Sequence, residues 1–129
     1  MTAPQILAET RRPRVLLVDL EPASRRALHF LLQGGGFDVR ACAAPDAAFS
    51  QAHLAGADCL IAAQGAMAGD AIAVLALLRA HGWPGPAILL AAAPDPALYA
   101  AAGNAGFAHC LAQPLNDMTL VNAVWRAIG

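Results

Sequence analysis

Short apolar runs alternate with amphipathic stretches along this sequence, and this pattern predicts strands that alternate with helices. The predicted strands cover residues 14–19, 37–42, 59–63, 87–91 and 107–111. The predicted helices cover residues 22–33, 45–54, 71–80, 97–105 and 117–128. Such alternation favours a parallel sheet with right-handed crossovers. The predicted fold is therefore α/β, a flavodoxin-like (βα)5 doubly wound parallel sheet with strand order 2-1-3-4-5.

Residues typical of helix ends stand at several of these boundaries. Glu21-Pro22 opens the first helix, Asp70 is a predicted N-cap, and Asn116 or Asp117 is predicted to cap the last helix. The three glycines at 34–36 raise the question of a phosphate-binding loop, but such glycines follow a strand and open a helix. These follow a helix and precede a strand, so they are predicted to form a C-cap and turn.

Composition indicates one domain with a sizeable core, because 58% of the residues are hydrophobic and 13% are charged. Residues 1–12 are predicted to be a tail and residues 13–129 the domain.

The net charge is −1, and the eight basic residues form no stripe, which argues against nucleic-acid binding. Cys42, Cys59 and Cys110 are widely spaced, and we interpret them as small buried residues in a reducing compartment.

The sequence also lacks the pattern of a signal peptide at its start. Its longest apolar runs, at 71–78 and 87–93, are shorter than the roughly 20 residues that span a bilayer. We therefore expect a cytoplasmic protein that is not embedded in a membrane.

In parallel sheets, ligands bind beyond the carboxyl ends of the strands. The third predicted strand ends in Ala63 and Gln64, which supply neither a nucleophile nor an acid. No nucleophile–base pair follows another strand, and His53, His81 and His109 lack the spacing of metal ligands. We therefore expect no catalytic residue, no metal, no cofactor and no enzymatic activity.

Four segments, at 14–22, 57–63, 86–92 and 106–114, resemble the receiver domain of bacterial response regulators. The resemblance implies a pocket in which two acids after the first strand hold Mg²⁺. It further implies an aspartate at the end of the third strand that takes a phosphoryl group, a hydroxyl residue after the fourth strand, and a lysine after the fifth. The metal and the lysine would neutralise the charge that develops during phosphoryl transfer.

This sequence departs from that pattern at most of the functional positions. Asp19 is retained, but Leu20 replaces the second acid and Glu21 follows it. Ala63 replaces the phosphoacceptor, Ala91 the hydroxyl residue and Gln113 the lysine, whereas Pro114 is kept; Cys110 occupies the position of a switching aromatic ring. The resemblance therefore implies a pseudo-receiver that is not phosphorylated. Asp58 and Asp70 are the alternative acceptors, although Asp58 opens its strand and Asp70 suits a helix cap.

Two surfaces are candidates for protein contacts. Met118, Val121 and Trp125 recur at i, i+3 and i+7 on the last helix, and Tyr99 on the preceding helix extends them. The resemblance implies that this region serves output and dimerisation; the alternative is that Trp125 covers its own sheet edge. A secondary candidate surface lies on the first helix and consists of Arg25, Arg26, His29 and Phe30. It is either a docking site or simply a solvated face.

The favoured function is a signalling module of a two-component pathway that acts through protein–protein contacts. Its partner would be a histidine kinase, a phosphotransfer protein or an output domain, or a second copy in a homodimer. One alternative is a receiver with an atypical acceptor, and another is the N-terminal regulatory domain of a larger transcriptional regulator. A flavin or small-ligand binder is a further alternative, but residues 20–24 lack the hydroxyl-rich run that a flavin phosphate needs.

Overall fold

The computed structural model of the chain describes residues 12–43, 56–65, 70–113 and 116–129. In that part of the chain, parallel strands form one sheet with the order β2-β1-β3-β4-β5, which confirms the predicted fold. The strands are β1 (Arg14–Val18), β2 (Asp38–Cys42), β3 (Cys59–Ala63), β4 (Ala87–Ala91) and β5 (His109–Ala112). The helices are α1 (Pro22–Gly34), α2 (Asp70–Ala80), α3 (Pro96–Ala105) and α4 (Asp117–Ile128). The helix predicted at 45–54 and the tail up to residue 11 lie outside the described residues.

The sheet separates two layers of apolar side chains, because successive residues of a strand point to opposite faces. One layer lies under α1 and α4 and includes Leu28, Leu32, Leu120 and Val124. The other lies under α2 and α3 and includes Leu75, Leu78 and Ala102. Since both faces are covered, β3 and β4 are apolar at nearly every position, as is usual in parallel sheets.

Helix α1 begins and ends with the devices that its sequence predicts. The carboxylate of Glu21 accepts a hydrogen bond from the backbone N–H of Ala23, and Pro22 occupies the first turn. At the other end Gly36 adopts a φ of 100°, and the N–H of Phe37 donates to the carbonyl of Leu32. This is a Schellman motif, so the prediction of a glycine C-cap and turn is confirmed.

The same pair, a left-handed glycine followed by a buried aromatic residue, ends α2 and α3. Gly82 and Gly106 have φ values of 87° and 104°. The N–H of Trp83 donates to Leu78 and that of Phe107 to Ala102, as the N–H of Phe37 does at the end of α1. Each aromatic side chain is buried in the core. We call these three turns the Gly–aromatic junctions; they lead from helices into strands at the amino edge of the sheet.

The Gly–aromatic junctions explain two errors in the predicted strand boundaries. The predicted strands began at Phe37 and Phe107, but β2 begins at Asp38 and β5 at His109. In each case the aromatic N–H is committed to the preceding helix, so pairing with a neighbouring strand starts later. A third difference is that α2 includes Asp70, which was predicted to precede the helix as its cap.

Candidate functional site

The strand register brings five of the residues predicted for the pocket to the carboxyl edge of the sheet. Val18 pairs with Ala62, so Asp19 follows β1 at the level of Ala63. Ala63 in turn pairs with Leu90. Two backbone bonds fix the next residues: the N–H of Gln64 donates to Leu90 (2.7 Å) and that of Gln113 to Ala91 (2.8 Å). Pro114, also predicted for this pocket, lies outside the described residues.

Asp19 is the acid of this edge, and its side chain is only 5% exposed. Its Oδ1 atom accepts from the N–H of Glu21 (3.0 Å), and its carbonyl accepts from Nη1 of Arg25 (2.9 Å). Its own N–H donates to the carbonyl of Cys42 (3.0 Å). Oδ2 is buried without a hydrogen-bond partner among the described residues. Asp19 therefore fastens the turn between β1 and α1 and keeps one unpartnered oxygen.

The two residues after Asp19 do not complete a pair of ligating acids. Leu20 is 66% exposed and carries no donor atom in its side chain. The carboxylate of Glu21 caps α1, 2.9 Å from the N–H of Ala23. Further along the edge, the carboxylate of Asp95 caps α3 in the same way, 2.8 Å from the N–H of Leu98. Both carboxylates are therefore engaged in hydrogen bonds to the N-termini of helices.

Gln64 has a structural role that sequence reasoning missed. Its side-chain oxygen accepts from the backbone N–H of Ala71 (3.1 Å), in the first turn of α2. The bond ties the end of β3 to the helix that follows it and satisfies one of the N–H groups that a helix start leaves without a partner. A glutamine seven residues before an apolar helix gives no sequence signal for this role, because glutamine is not among the usual N-cap residues.

The described residues do not fit the magnesium site that the resemblance implies. Mg²⁺ requires near-octahedral oxygen coordination and is usually bound through one or two carboxylates, water and phosphate. Here Asp19 offers one unpartnered oxygen, and its neighbour across the edge, Ala63, offers a methyl group. In the described ranges, no group of three His, Cys, Asp or Glu residues is placed to hold a metal ion.

The alternative acceptor Asp58 lies at the opposite, amino edge of the sheet. Its Oδ2 atom accepts from the N–H of Arg14 (2.8 Å), and its own N–H donates to the carbonyl of Arg14 (2.8 Å). These two bonds fasten the start of β3 to the start of β1. The other alternative, Asp70, is the first residue of α2, and its side chain is not among those described.

Two thiols of the sheet, those of Cys59 and Cys110, are poor nucleophiles. Burial, with a smaller contribution from the negative charge of Asp58, raises the pKa of Cys59 to about 12. Burial also raises the pKa of Cys110, which is half-buried on β5. Because the thiolate is the reactive form, neither cysteine is primed for covalent chemistry.

Between α1 and α4 lies an open groove of about 920 Å³ that unites residues from both candidate surfaces. Phe30, 82% exposed, and Met118, 60% exposed, belong to it. We call it the α1–α4 groove, and it is lined by Arg26, Ala27, Phe30, Leu31, Gly34, Gly35, Met118 and Val121. The structure thus joins the primary candidates Met118 and Val121 to the secondary candidates Arg26 and Phe30.

The remaining candidate residues are placed differently. Trp125 is 43% exposed, and its ring packs on Phe37 with centroids 4.7 Å apart and planes tilted by 36°. Tyr99 is exposed on α3, which packs on the other face of the sheet from α4. Arg25 is held by its bond to Asp19, and His29 is half-buried. The structure therefore separates Tyr99 from the Met118–Val121 stripe, which faces α1.

Several solved structures with the same architecture are receiver domains or response regulators. The chemotaxis protein CheY4 of Vibrio cholerae is 22% identical, with a TM-score of 0.81 over 91% of this chain and 99% of that one. The signal receiver domain of an HD domain-containing protein from Pseudomonas fluorescens is 29% identical, with a TM-score of 0.77 over 92% and 95%. A response regulator from Thermotoga maritima is 19% identical, with a TM-score of 0.79 over 92% and 98%.

The chain has the receiver fold. No family model matches the sequence, and no curated protein matches it. The similarity to receiver domains therefore lies in the architecture, five parallel strands with covering helices. It extends over 91% of this chain in the comparison with CheY4.

Within this receiver fold, the carboxyl edge presents methyl groups from Ala63 and Ala91 where the resemblance implies an acid and a hydroxyl. Gln113 is half-buried just beyond β5 and has no positive charge. None of the described helices is long and apolar enough to cross a membrane.

Proposed function

We propose that this chain is a receiver-like signalling module that accepts no phosphoryl group and acts by contact with a partner protein. It is not an enzyme and needs no metal or cofactor. The partner is a protein of a two-component pathway: a histidine kinase, a phosphotransfer protein or an output domain. The receiver fold of its structural neighbours supports the pathway, and the composition of the carboxyl edge supports the absence of phosphorylation.

The observation that carries this proposal is the methyl group of Ala63 beside the buried carboxylate of Asp19. A phosphoryl group needs an oxygen nucleophile there, and alanine has none. The transferred group also needs positive charge around it, since charge builds up on its oxygens during transfer. Gln113 is neutral, and the donor set around Asp19 does not fit Mg²⁺.

A regulatory domain within a larger regulator is the second candidate function. It is favoured by neighbours such as the receiver of an HD domain-containing protein and that of a putative LuxO repressor from Vibrio parahaemolyticus. In that case the partner surface contacts an output domain of the same polypeptide. The two candidates share the unphosphorylated carboxyl edge and differ in whether the contact is made within one polypeptide.

Incubation with acetyl phosphate and Mg²⁺, followed by intact-mass measurement, tests the proposal. We expect the wild-type chain to keep its mass, while a receiver of known activity gains one phosphoryl group under the same conditions. A stable phosphoryl adduct on the wild-type chain would refute the proposal, and peptide mapping would then identify the acceptor. Mapping to Asp58 or Asp70 would establish the atypical-acceptor alternative.

A restored variant provides the matched control within this fold. Ala63→Asp combined with Gln113→Lys supplies the acid and the positive charge at the positions that the strand register places at one edge. We expect this double variant to gain the phosphoryl mass that the wild type does not. Folding of the variant is checked by circular dichroism before the reaction.

A further inference from the structure

A polar pocket of about 330 Å³ opens at the amino edge of the sheet, where β1, β2 and β3 begin. Its volume lies at the lower end of the range for ligand sites in proteins, so it suits a small molecule. We call it the amino-edge pocket, and its lining includes Arg12, Arg14, Asp38, Gly56 and Asp58. Two of these side chains are basic and two are acidic, so the pocket offers both signs of charge to a ligand.

One basic and one acidic side chain of the pocket already form an ion pair. Nε of Arg14 donates to Oδ2 of Asp38 at 3.1 Å, which fixes the guanidinium beside the start of β2. The same guanidinium lies against Gly56, where an added Cβ atom would collide with Nη1 of Arg14. In the described ranges, no acceptor lies within hydrogen-bond distance of either Nη atom of Arg14. The guanidinium is therefore held in position while these two nitrogens can still bind an anion.

The other two charged side chains of the pocket, Arg12 and Asp58, do not neutralise each other. Neither forms an ion pair with another residue of the described part of the chain. The carboxylate of Asp58 is held by its Oδ2 atom, which accepts from the backbone N–H of Arg14 at 2.8 Å. Arg12 is exposed at the entry to β1. One positive and one negative group thus line the same small pocket, each without a charged partner.

We propose that the amino-edge pocket binds a small zwitterion, a molecule that carries an ammonium group and a carboxylate on one short skeleton. The carboxylate is bound by the guanidiniums of Arg12 and Arg14, whose planar forks suit bidentate binding. The ammonium group is bound by Asp58. The starts of β2 and β3 lie on either side of β1, about 10 Å apart, so the skeleton has the length of an amino acid or a dipeptide.

The mixed charge of the pocket disfavours simpler ligands. A plain anion such as phosphate meets the carboxylates of Asp38 and Asp58, and a plain cation meets two guanidiniums. Only a ligand with both charges matches both unpaired groups. The inference is independent of the proposed function, because Ala63 and Asp19 lie at the opposite edge of the sheet.

Titration of the isotope-labelled full chain with L-alanine and with the dipeptide alanylalanine, followed by NMR at low salt, tests the proposal. We expect at least one of them to bind with a dissociation constant of about 1 mM or lower, with shifts at the starts of β1, β2 and β3. The two probes distinguish a free amino acid from a peptide as the source of the zwitterion. Binding should also raise the midpoint of thermal unfolding, because the ligand binds the folded state.

Blocked analogues of the better probe test the need for both charges. The N-acetylated analogue lacks the ammonium group, and the C-terminal amide lacks the carboxylate. We expect each to bind at least about tenfold more weakly than the zwitterion, and inorganic phosphate to bind more weakly as well. The difference should shrink as salt screens the charges.

Variants assign the binding to the pocket. Asp58→Asn keeps an oxygen that can accept from the N–H of Arg14 and removes the charge, and Arg12→Gln removes the exposed guanidinium. Each should weaken binding about tenfold. Arg26→Gln, on the exposed face of α1 and outside the pocket, is the matched control and should leave the affinity unchanged. Circular dichroism checks that all three variants fold.

Several outcomes would overturn the inference. They are the absence of binding of both probes at about 10 mM, equal binding of the blocked analogues, and shifts confined to the carboxyl edge or to the α1–α4 groove. Phosphate that binds more tightly than either probe would make the pocket an anion site instead. Wild-type affinity in both Asp58→Asn and Arg12→Gln would show that the zwitterion binds elsewhere. The analogue comparison uses the wild-type chain, so it decides the question even if a variant does not fold.

Discussion

Asp19 illustrates how a buried acid at the carboxyl edge of the sheet can serve the fold. Three of its atoms make hydrogen bonds that shape the turn between β1 and α1: the backbone N–H, the carbonyl oxygen and Oδ1. The fourth, Oδ2, is buried without a partner among the described residues. The residue that resembles a metal ligand is therefore explained by the fold, apart from one oxygen.

Two substitutions separate these contributions. Asp19→Asn keeps the acceptor for the N–H of Glu21 and removes the buried carboxylate, which costs more to bury than an amide. We expect it to be at least as stable as the wild type in urea unfolding. Asp19→Ala leaves the N–H without its acceptor and should lose about 1–2 kcal/mol. Equal losses for both variants would show that the carboxylate itself stabilises the fold.

At the scale of elements, the contact between α1 and α4 depends on a glycine. A Cβ atom at Gly35 would lie 2.7 Å from Cγ2 of Val121, closer than real side chains pack, whereas one at Gly34 would meet nothing within 4 Å. The close approach of the two helices sets the floor of the α1–α4 groove. Gly35 is therefore required for the close contact between α1 and α4, whereas Gly34 is not.

We expect Gly35→Ala to destabilise the chain by about 1–3 kcal/mol, because the added methyl group forces α1 and α4 apart. Gly34→Ala, inside the last turn of α1, is the matched control and should be neutral or stabilising by up to about 1 kcal/mol. Urea unfolding measures both. Adding Val121→Ala should recover part of the Gly35→Ala loss; a double variant with no recovery would contradict this explanation.

Trp125 and Phe30 should differ in how much their side chains contribute to stability. Its ring packs on Phe37, so Trp125→Ala should cost about 1–2 kcal/mol of stability. Phe30→Ala, on a mostly exposed side chain, should change stability by no more than about 0.5 kcal/mol. Thermal unfolding of both variants checks this. Similar losses would mean that Phe30 also contributes to the fold.

The sequence was sufficient to predict the sheet, because each apolar run has the length of a strand and each amphipathic stretch that of a helix. It also predicted that Asp19, Ala63, Ala91 and Gln113 lie at one edge, since parallel strands end together. It left open whether Trp125 covers its own sheet edge, as its packing on Phe37 beside β2 now indicates, and it did not predict that Gln64 caps α2. Those contacts depend on which elements become neighbours, and the periodicity of a single helix does not contain that information.

At the scale of the whole molecule, the buried thiol of Cys59 makes stability depend on pH. Its pKa is raised from an ordinary 9.0 to about 12, mainly by burial. Above pH 9 the unfolded chain therefore releases the thiol proton while the folded chain retains it. The unfolded state binds fewer protons over this range, so stability falls as pH rises toward 12.

We expect the wild type to lose up to about 1 kcal/mol per pH unit through this group between pH 9 and 11. Cys59→Ala should start less stable near neutral pH, because it leaves a small cavity, but its stability should fall less steeply with pH. Urea midpoints across this range give the comparison. Parallel curves for the two proteins would show that Cys59 does not titrate differently in the folded chain.

The Gly–aromatic junctions have a practical consequence for following the whole molecule. Trp83 is itself a junction residue, buried in the layer under α2 and α3, while Trp125 packs on the junction residue Phe37 in the other layer. The chain thus contains one tryptophan on each side of its sheet, one shielded from solvent and one accessible to a quencher such as acrylamide. In a variant that keeps only one tryptophan, the fluorescence of that residue would report the thermal unfolding of the layer in which it lies, without an added dye.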